Sequence, residues 1–235
     1  MYPRGMAAPD IAGNLGRVRS QIADALATRG PGPEVTLIGV SKRQPPAALR
    51  AAVDAGLRDL GENYAQELAS KLGAPELAGC TPRWHFIGAL QSNKARLVVG
   101  EATIHTVDRP SLVTAIANRA RALGIPCEVL VEVNLGGEAQ KAGVDPESLD
   151  ALLDAIAAEN GALRCVGLML IPPSDTPQRS RPYFAALREL AARTRPRQHV
   201  ELRALSMGMS GDFPEAIAEG ATMVRVGTAI FGARS

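Results

Sequence analysis

Cysteine, histidine and lysine are all scarce in this chain, and each scarcity closes off a class of function. Cys80, Cys127 and Cys165 are odd in number and far apart, which excludes a disulfide framework or a paired-cysteine metal knuckle and leaves buried reduced thiols. His85, His105 and His199 show no His-x-His or similar spacing, so a histidine-ligated metal hydrolase is not expected. Long apolar runs are missing too. None reaches the roughly 18 residues of a membrane span, and the N-terminus lacks a secretory hydrophobic region. The formal net charge is only +2, without a run of like charge, so neither nucleic acid nor a membrane surface has an electrostatic basis as a partner. The expectation is a cytoplasmic protein.

Among the basic residues only Lys42, Lys71, Lys94 and Lys141 are lysine, and the other cations are arginine. Lys42 stands out by its place. It follows the buried-strand run Leu37-Ile38-Gly39-Val40 and precedes Pro45-Pro46, which suit the first turn of a helix. An amine is thus set where a strand has ended and its helix has not begun.

Residues 1–9 read as a loose tail, and 10–235 as the folded domain. Helical spacing of Ile11, Leu15, Val18, Ile22 and Leu26 predicts a helix over 10–29, closed by Gly30-Pro31. Strand-like runs then follow at 35–41, 58–62, 84–88, 103–108, 127–135, 163–171, 200–207 and 222–228. Helical patterns separate them at 47–55, 63–72, 91–99, 110–123, 145–159, 178–193 and 213–219. Eight strands and seven intervening helices predict an α/β fold, a single-domain (β/α)₈ TIM barrel. The helix at 10–29 would cover the place of the missing eighth helix. A doubly wound open sheet is the alternative, but the first strand lacks a Gly-x-Gly-x-x-Gly turn.

In such a barrel the C-terminal strand ends form the active face. Those ends read Lys42, Glu62-Asn63, Gly88, Asp108, Asn134, Met169, Ser206 and Gly227. A desolvated lysine loses proton affinity, which frees its amine for Schiff-base chemistry. The stretch ALSMGMSGDFPEA (204–216) leaves its strand through Ser206, Gly208, Ser210 and Gly211, and TMVRVGTAIFG (222–232) offers Gly227 and Thr228. Small residues after the seventh and eighth strands favour a phosphate. An Asp212–Glu215 capping box would account for part of the same pattern without a ligand. Arg225, between Val224 and Val226, faces the interior if those valines face the helices. There it requires a partner: a carboxylate such as Glu132 or Glu62, or an acceptor atom on a ligand.

An amine for an aldehyde, a phosphate cradle and an arginine for a ring nitrogen together describe pyridoxal 5′-phosphate. The motifs GVSK (39–42), LGENYAQE (60–67), WHFIGALQSNK (84–94), VNLGGEAQKAG (133–143), GLMLIP (167–172), LSMGMSGDF (205–213) and MVRVGTAIFGAR (223–234) carry a resemblance to the pyridoxal-phosphate homeostasis proteins, the YggS/PROSC family. It runs from about residue 10 to the end. The resemblance implies a fold-type III barrel similar to the N-terminal domain of alanine racemases, with Lys42 as the aldimine lysine and Arg225 at the pyridine nitrogen. It further implies Ser206, Gly227 and Thr228 at the phosphate, and Asn63 near the ring. Arg43, where a threonine is common, and Leu170, where a smaller residue is common, depart from the pattern. The family is regarded as non-catalytic and as a keeper of the vitamin B6 supply, which makes pyridoxal-phosphate-dependent apo-enzymes candidate recipients and a monomer the simpler state. An arginine at the ring nitrogen disfavours the protonated ring that transamination uses. Two other classes compete: a single-domain racemase with Tyr64 or Cys80 as second base, and a Schiff-base aldolase using Lys42 without a cofactor. Lys141 is a candidate for handing the cofactor over.

Overall fold

The apolar runs close into a barrel because each strand pairs in parallel with its sequence neighbours on both sides. The computed structural model describes residues 9–137, 142–173 and 176–232. Residues 1–8 of the expected tail, and Lys141, lie outside the described residues. The strands are β1 (Thr36–Val40), β2 (Asp59–Glu62), β3 (Arg83–Phe86), β4 (Thr103–Val107), β5 (Cys127–Glu132), β6 (Leu163–Met169), β7 (Val200–Met209) and β8 (Met223–Val226). β1 pairs with β2 and also with β8, which closes the ring and overturns the open-sheet alternative.

The helical layer is α1 (Ile11–Arg29), α2 (Pro46–Asp54), α3 (Ala65–Leu72), α4 (Pro110–Leu123), α5 (Leu149–Ala157), α6 (Pro177–Arg193), α7 (Phe213–Ala218) and α8 (Thr228–Phe231). A parallel strand buried on both faces needs an apolar cover outside it, and the four-residue α8 is too short to give one. α1 supplies the cover. Asp10 caps it by accepting from the Gly13 amide at 2.9 Å, its buried stripe is Ile11, Leu15, Val18 and Ile22, and it packs on α2, α7 and α8. Asn14 donates to the Ile230 carbonyl at 2.9 Å, tying the two ends of the fold together. No helix among the described residues is long and apolar enough to cross a membrane.

Four local expectations change. The pattern at 91–99 forms a 3₁₀ segment, Ser92–Leu97, and that at 145–159 begins with one, Pro146–Ser148, before α5. β7 runs to Met209 rather than residue 207, and its register against β8 shifts between Ser206 and Met209. Gly208 makes this possible: it has φ +89°, and a Cβ there would meet the Ala216 Cβ at 2.6 Å. The Asp212–Glu215 capping box does not form. Asp212 Oδ1 instead accepts from the Met209 amide at 2.7 Å, bracing the loop that follows β7.

The packing of α1 generates a prediction. Leu15 is fully buried, so Leu15→Ala should lower the unfolding free energy in urea by about 2–5 kcal/mol. Ser20→Ala on the exposed face of the same helix should change it by less than about 0.5 kcal/mol. Equal effects from both would mean that α1 is not part of the core.

Candidate functional site

A cavity of about 290 Å³ opens at the C-terminal ends of β1, β2, β7 and β8, at the small end of ligand-site volumes. Lys42, Asn63, Arg225, Gly227 and Thr228 line it, with Gln44, Ile87, Ile171, Met209 and Ser210 among the other walls. Five of the six residues expected from sequence are thus brought together, and no carboxylate lines the cavity among the described residues. Ser206 does not reach it. Its hydroxyl is turned inward and is fully buried against Arg225 and His105, so Ser210, four residues on, takes the cavity-facing place.

Lys42 is held by the turn that joins β1 to α2. Ser41 donates from its amide to the Gly61 carbonyl at 2.9 Å and from its hydroxyl to Glu62 at 2.6 Å, and Gln44 N–H closes the turn on Ser41 O at 3.0 Å. Arg43 occupies the left-handed region with φ +60°, a strained state for a residue with a side chain. Its amide donates to the Glu67 carboxylate, and its guanidinium lies over the Tyr64 ring, 5.8 Å from the centroid. This departure from the family pattern therefore alters the outer rim and does not line the cavity. Behind the turn, Lys71 is buried with its Nζ bonded to Ser41 O at 2.7 Å, Glu62 at 2.6 Å and Glu67 at 2.7 Å. Glu62 is committed to this cluster, which removes it as a partner of Arg225. Burial pushes the Glu62 carboxyl up, and Lys71 opposes that push.

Arg225 is inside the barrel, with Val224 and Val226 facing outward as alternation requires. Its Nη1 donates to Ser206 O at 2.7 Å and Ser206 Oγ at 2.9 Å, and its Nη2 to Leu170 O at 2.9 Å. Because Leu170 contributes its carbonyl, the size of its side chain leaves this contact intact. Burial lowers the guanidinium to about 10, so it stays charged at neutral pH. These partners are carbonyls and a hydroxyl, and Glu132 acts on the guanidinium through its field. Glu132 is pushed up to about 7, first by burial and then by Asp108, against the pull of Arg225.

On the opposite wall, the loops after β7 and β8 are stitched together by the Gly227 amide, which donates to Ser210 Oγ at 3.3 Å. Asn63 sits between β2 and α3, and its Oδ1 is buried with no hydrogen-bond partner among the described residues. Its backbone is packed so closely that a Cβ on Gly88 would meet Asn63 O at 2.1 Å. A cavity with two cationic side chains, an orphaned carbonyl and no carboxylate suits an anionic ligand that also carries polar ring atoms. Those features fit pyridoxal 5′-phosphate.

Sequence reasoning missed a buried polar chain. His85 Nε2 lies 2.9 Å from Asp59 Oδ1, His85 Nδ1 lies 2.9 Å from His105 Nε2, and His105 Nδ1 lies 2.9 Å from Ser206 Oγ. Burial, then the neighbouring His85 and Arg225, hold His105 well below the usual histidine range. Burial works to raise Asp59, but bonds from His85 and Arg83 outweigh it and leave the carboxyl lowered. The signal was present: Trp84-His85-Phe86 and Ile104-His105 follow the alternation that places Arg225 inside. Tyr64 and Cys80, the candidate second bases, are not among the cavity walls. Tyr64 is exposed at the rim, and Cys80 precedes β3 at the other end of the barrel.

Residues 14–235 match the family model described as alanine racemase, N-terminal domain. The chain is 44% identical over 223 residues to the pyridoxal phosphate homeostasis protein of Aquifex aeolicus (strain VF5), covering 94% of this chain and 96% of that protein. It is 42% identical over 228 residues to the protein of the same name from Escherichia coli (strain K12), covering 96% and 97%. The structure of PipY from Synechococcus elongatus PCC7942 with PLP bound superimposes with a TM-score of 0.82 at 39% identity, over 95% of this chain and all (100%) of that one.

Glu132 gives the site a pH signature. An unfolded glutamate titrates near 4.5, so between there and about 7 the folded chain holds a proton that the unfolded chain releases. Stability therefore falls as pH rises through that window, by at most about 3 kcal/mol, and is level above it. Glu132→Gln, which stays neutral, should gain on the parent progressively from pH 4.5 to 7 in urea unfolding. A difference independent of pH would show that Glu132 titrates normally.

Proposed function

Because this chain belongs to the pyridoxal phosphate homeostasis proteins, within the alanine racemase N-terminal domain family, we propose that it binds pyridoxal 5′-phosphate and helps keep its supply in balance. The cavity shared by Lys42 and Arg225, free of carboxylates among its described walls, carries this reading. When bound, the cofactor supplies an aldehyde that an amine can hold and a ring that can withdraw electrons. Lys42 provides the amine. Gly227, Thr228 and Ser210 face the phosphate, and Asn63 offers its orphaned Oδ1 beside the ring. Arg225 presents a cation to the pyridine nitrogen.

This arrangement favours holding over turnover. A proton on the ring nitrogen would set two positive charges together, so Arg225 keeps the ring a weak electron sink. Racemisation needs a base on each face of the substrate, and neither Tyr64 nor Cys80 lines the cavity. One positioned acid or base is worth about 10²–10⁴-fold, so its loss cripples such a reaction. The cofactor-free aldolase reading leaves Arg225 and the orphaned Asn63 carbonyl without a role.

Borohydride reduction of the cofactor-loaded protein should fix the label on Lys42, as read by peptide mass spectrometry. A main adduct on Lys71, Lys94 or Lys141, with Lys42 unmodified, would sink the assignment. Ser210→Leu should weaken pyridoxal phosphate at least tenfold more than unphosphorylated pyridoxal in equilibrium binding. Equal losses would place the phosphate elsewhere. Incubation with a panel of L-amino acids should yield neither D-enantiomer nor keto acid at an enzyme-like rate, and steady turnover abolished by Lys42→Ala would make the protein an enzyme.

A further inference from the structure

The chain Asp59–His85–His105–Ser206 ends on Arg225, and its proton positions can be worked out from that end. A guanidinium only donates, so Ser206 Oγ accepts from Arg225 Nη1 at 2.9 Å. The serine proton then goes to its other neighbour, His105 Nδ1, which is thereby an acceptor. His105 must carry its own proton on Nε2 and donate to His85 Nδ1, and His85 in turn donates from Nε2 to Asp59 Oδ1. Every bond runs from the cation toward the carboxylate. Arg83 anchors the far end through Nε to Oδ1 at 2.8 Å and Nη2 to Oδ2 at 2.7 Å.

Asp59 and His85 line a second cavity, of about 460 Å³, at the N-terminal ends of the strands. The chain thus crosses the barrel from that mouth to the candidate cofactor cavity. A proton added to His85 Nδ1 would turn that nitrogen into a donor toward His105 Nε2. The His105 proton would have to move to Nδ1 and donate to Ser206 Oγ. That oxygen would then face two donors, and its own proton would have no acceptor in the chain, a costly state for a fully buried hydroxyl.

We propose that His85, His105 and Ser206 form a positioning relay that holds Arg225 against the bound ring and loosens that hold when His85 takes a proton from the lower cavity. The relay rests on the reading of the upper cavity as a pyridoxal phosphate site. Other charged groups bear on it. His85 faces Asp59 on β2 and His105 on β4, Arg83 shares its strand, and Glu101 and Glu128 line the lower cavity. At the upper end Arg225 feels Glu132 and Asp212. Since Glu132 itself titrates near neutrality, the pH arm of the test is run in a Glu132→Gln background.

¹⁵N NMR of the full chain without ligand should show both His85 and His105 as Nε2–H tautomers at pH 8. An Nδ1–H tautomer at His105 would overturn the relay. With pyridoxal phosphate added, the absorbance of the bound cofactor and its affinity should both change from pH 8 to 5, the affinity falling several-fold. His85→Gln keeps a donor for Asp59 and an acceptor for His105 but cannot be protonated, so, whatever its affinity at pH 8, its affinity should fall much less than the parent's between pH 8 and 5. A fall of the same size in His85→Gln, or none in the parent, would refute the coupling. Ser206→Ala should weaken binding about fivefold, the worth of one ordinary hydrogen bond, with the unfolding midpoint reporting separately on the fold. No cofactor binding by the parent protein would instead sink the cofactor reading, while the tautomers would still report on the chain itself.

Discussion

A guanidinium sealed inside the barrel is the constraint on which the rest of this structure depends. Burying an unpaired cation costs several kcal/mol, so Arg225 requires its surroundings to be built for it. Two carbonyls and one hydroxyl, from the ends of β6 and β7, accept its protons. Meeting them fixes how β7 lies against β8, including the register shift between Ser206 and Met209. The same demand makes this interior polar where barrels are usually filled by branched apolar side chains. Asp59, His85, His105, Glu132 and Ser206 are all buried with Arg225, while the valines beside it pack outward.

The two lysines near the first strand end show how local charge separates a structural role from a functional one. Lys71 is surrounded by Glu62, Glu67 and the Ser41 carbonyl, and its charge is spent on holding the β1 turn in place. Lys42, on that same turn, faces a cavity whose described walls carry no carboxylate. The strained Arg43 backbone and the buried ion cluster both serve to present that one side chain.

Holding a cofactor and using it make different demands on a barrel of this kind. Use requires a ring that accepts electrons and bases placed on both of its faces. The cavity instead pairs its amine with a cation, and its potential second bases lie at the rim or at the opposite end of the barrel. In the function proposed for it, a fold shared with the alanine racemase N-terminal domain serves as a keeper through the residues at its strand ends, without a change of architecture.

What was legible in the sequence is what short-range periodicity encodes. Alternating apolar runs and helical patterns marked the eight strands, the strand-end place of Lys42, the inward turn of Arg225, and the paired loops at Gly227-Thr228. Tertiary structure decided the rest, because it depends on which inward residues meet after closure. Ser206 reads from its strand end as a phosphate ligand, yet β7 runs on past it to Met209, so its hydroxyl is buried against Arg225 and His105 and Ser210 lines the cavity instead. Glu62 finds Lys71 instead of Arg225 only once α3 folds behind β1. His85 and His105 look unpaired along the chain because their contact is made between strands. Ser206 reaches His105 across 101 residues at 2.9 Å, a distance set by barrel closure and strand register, which no local pattern records.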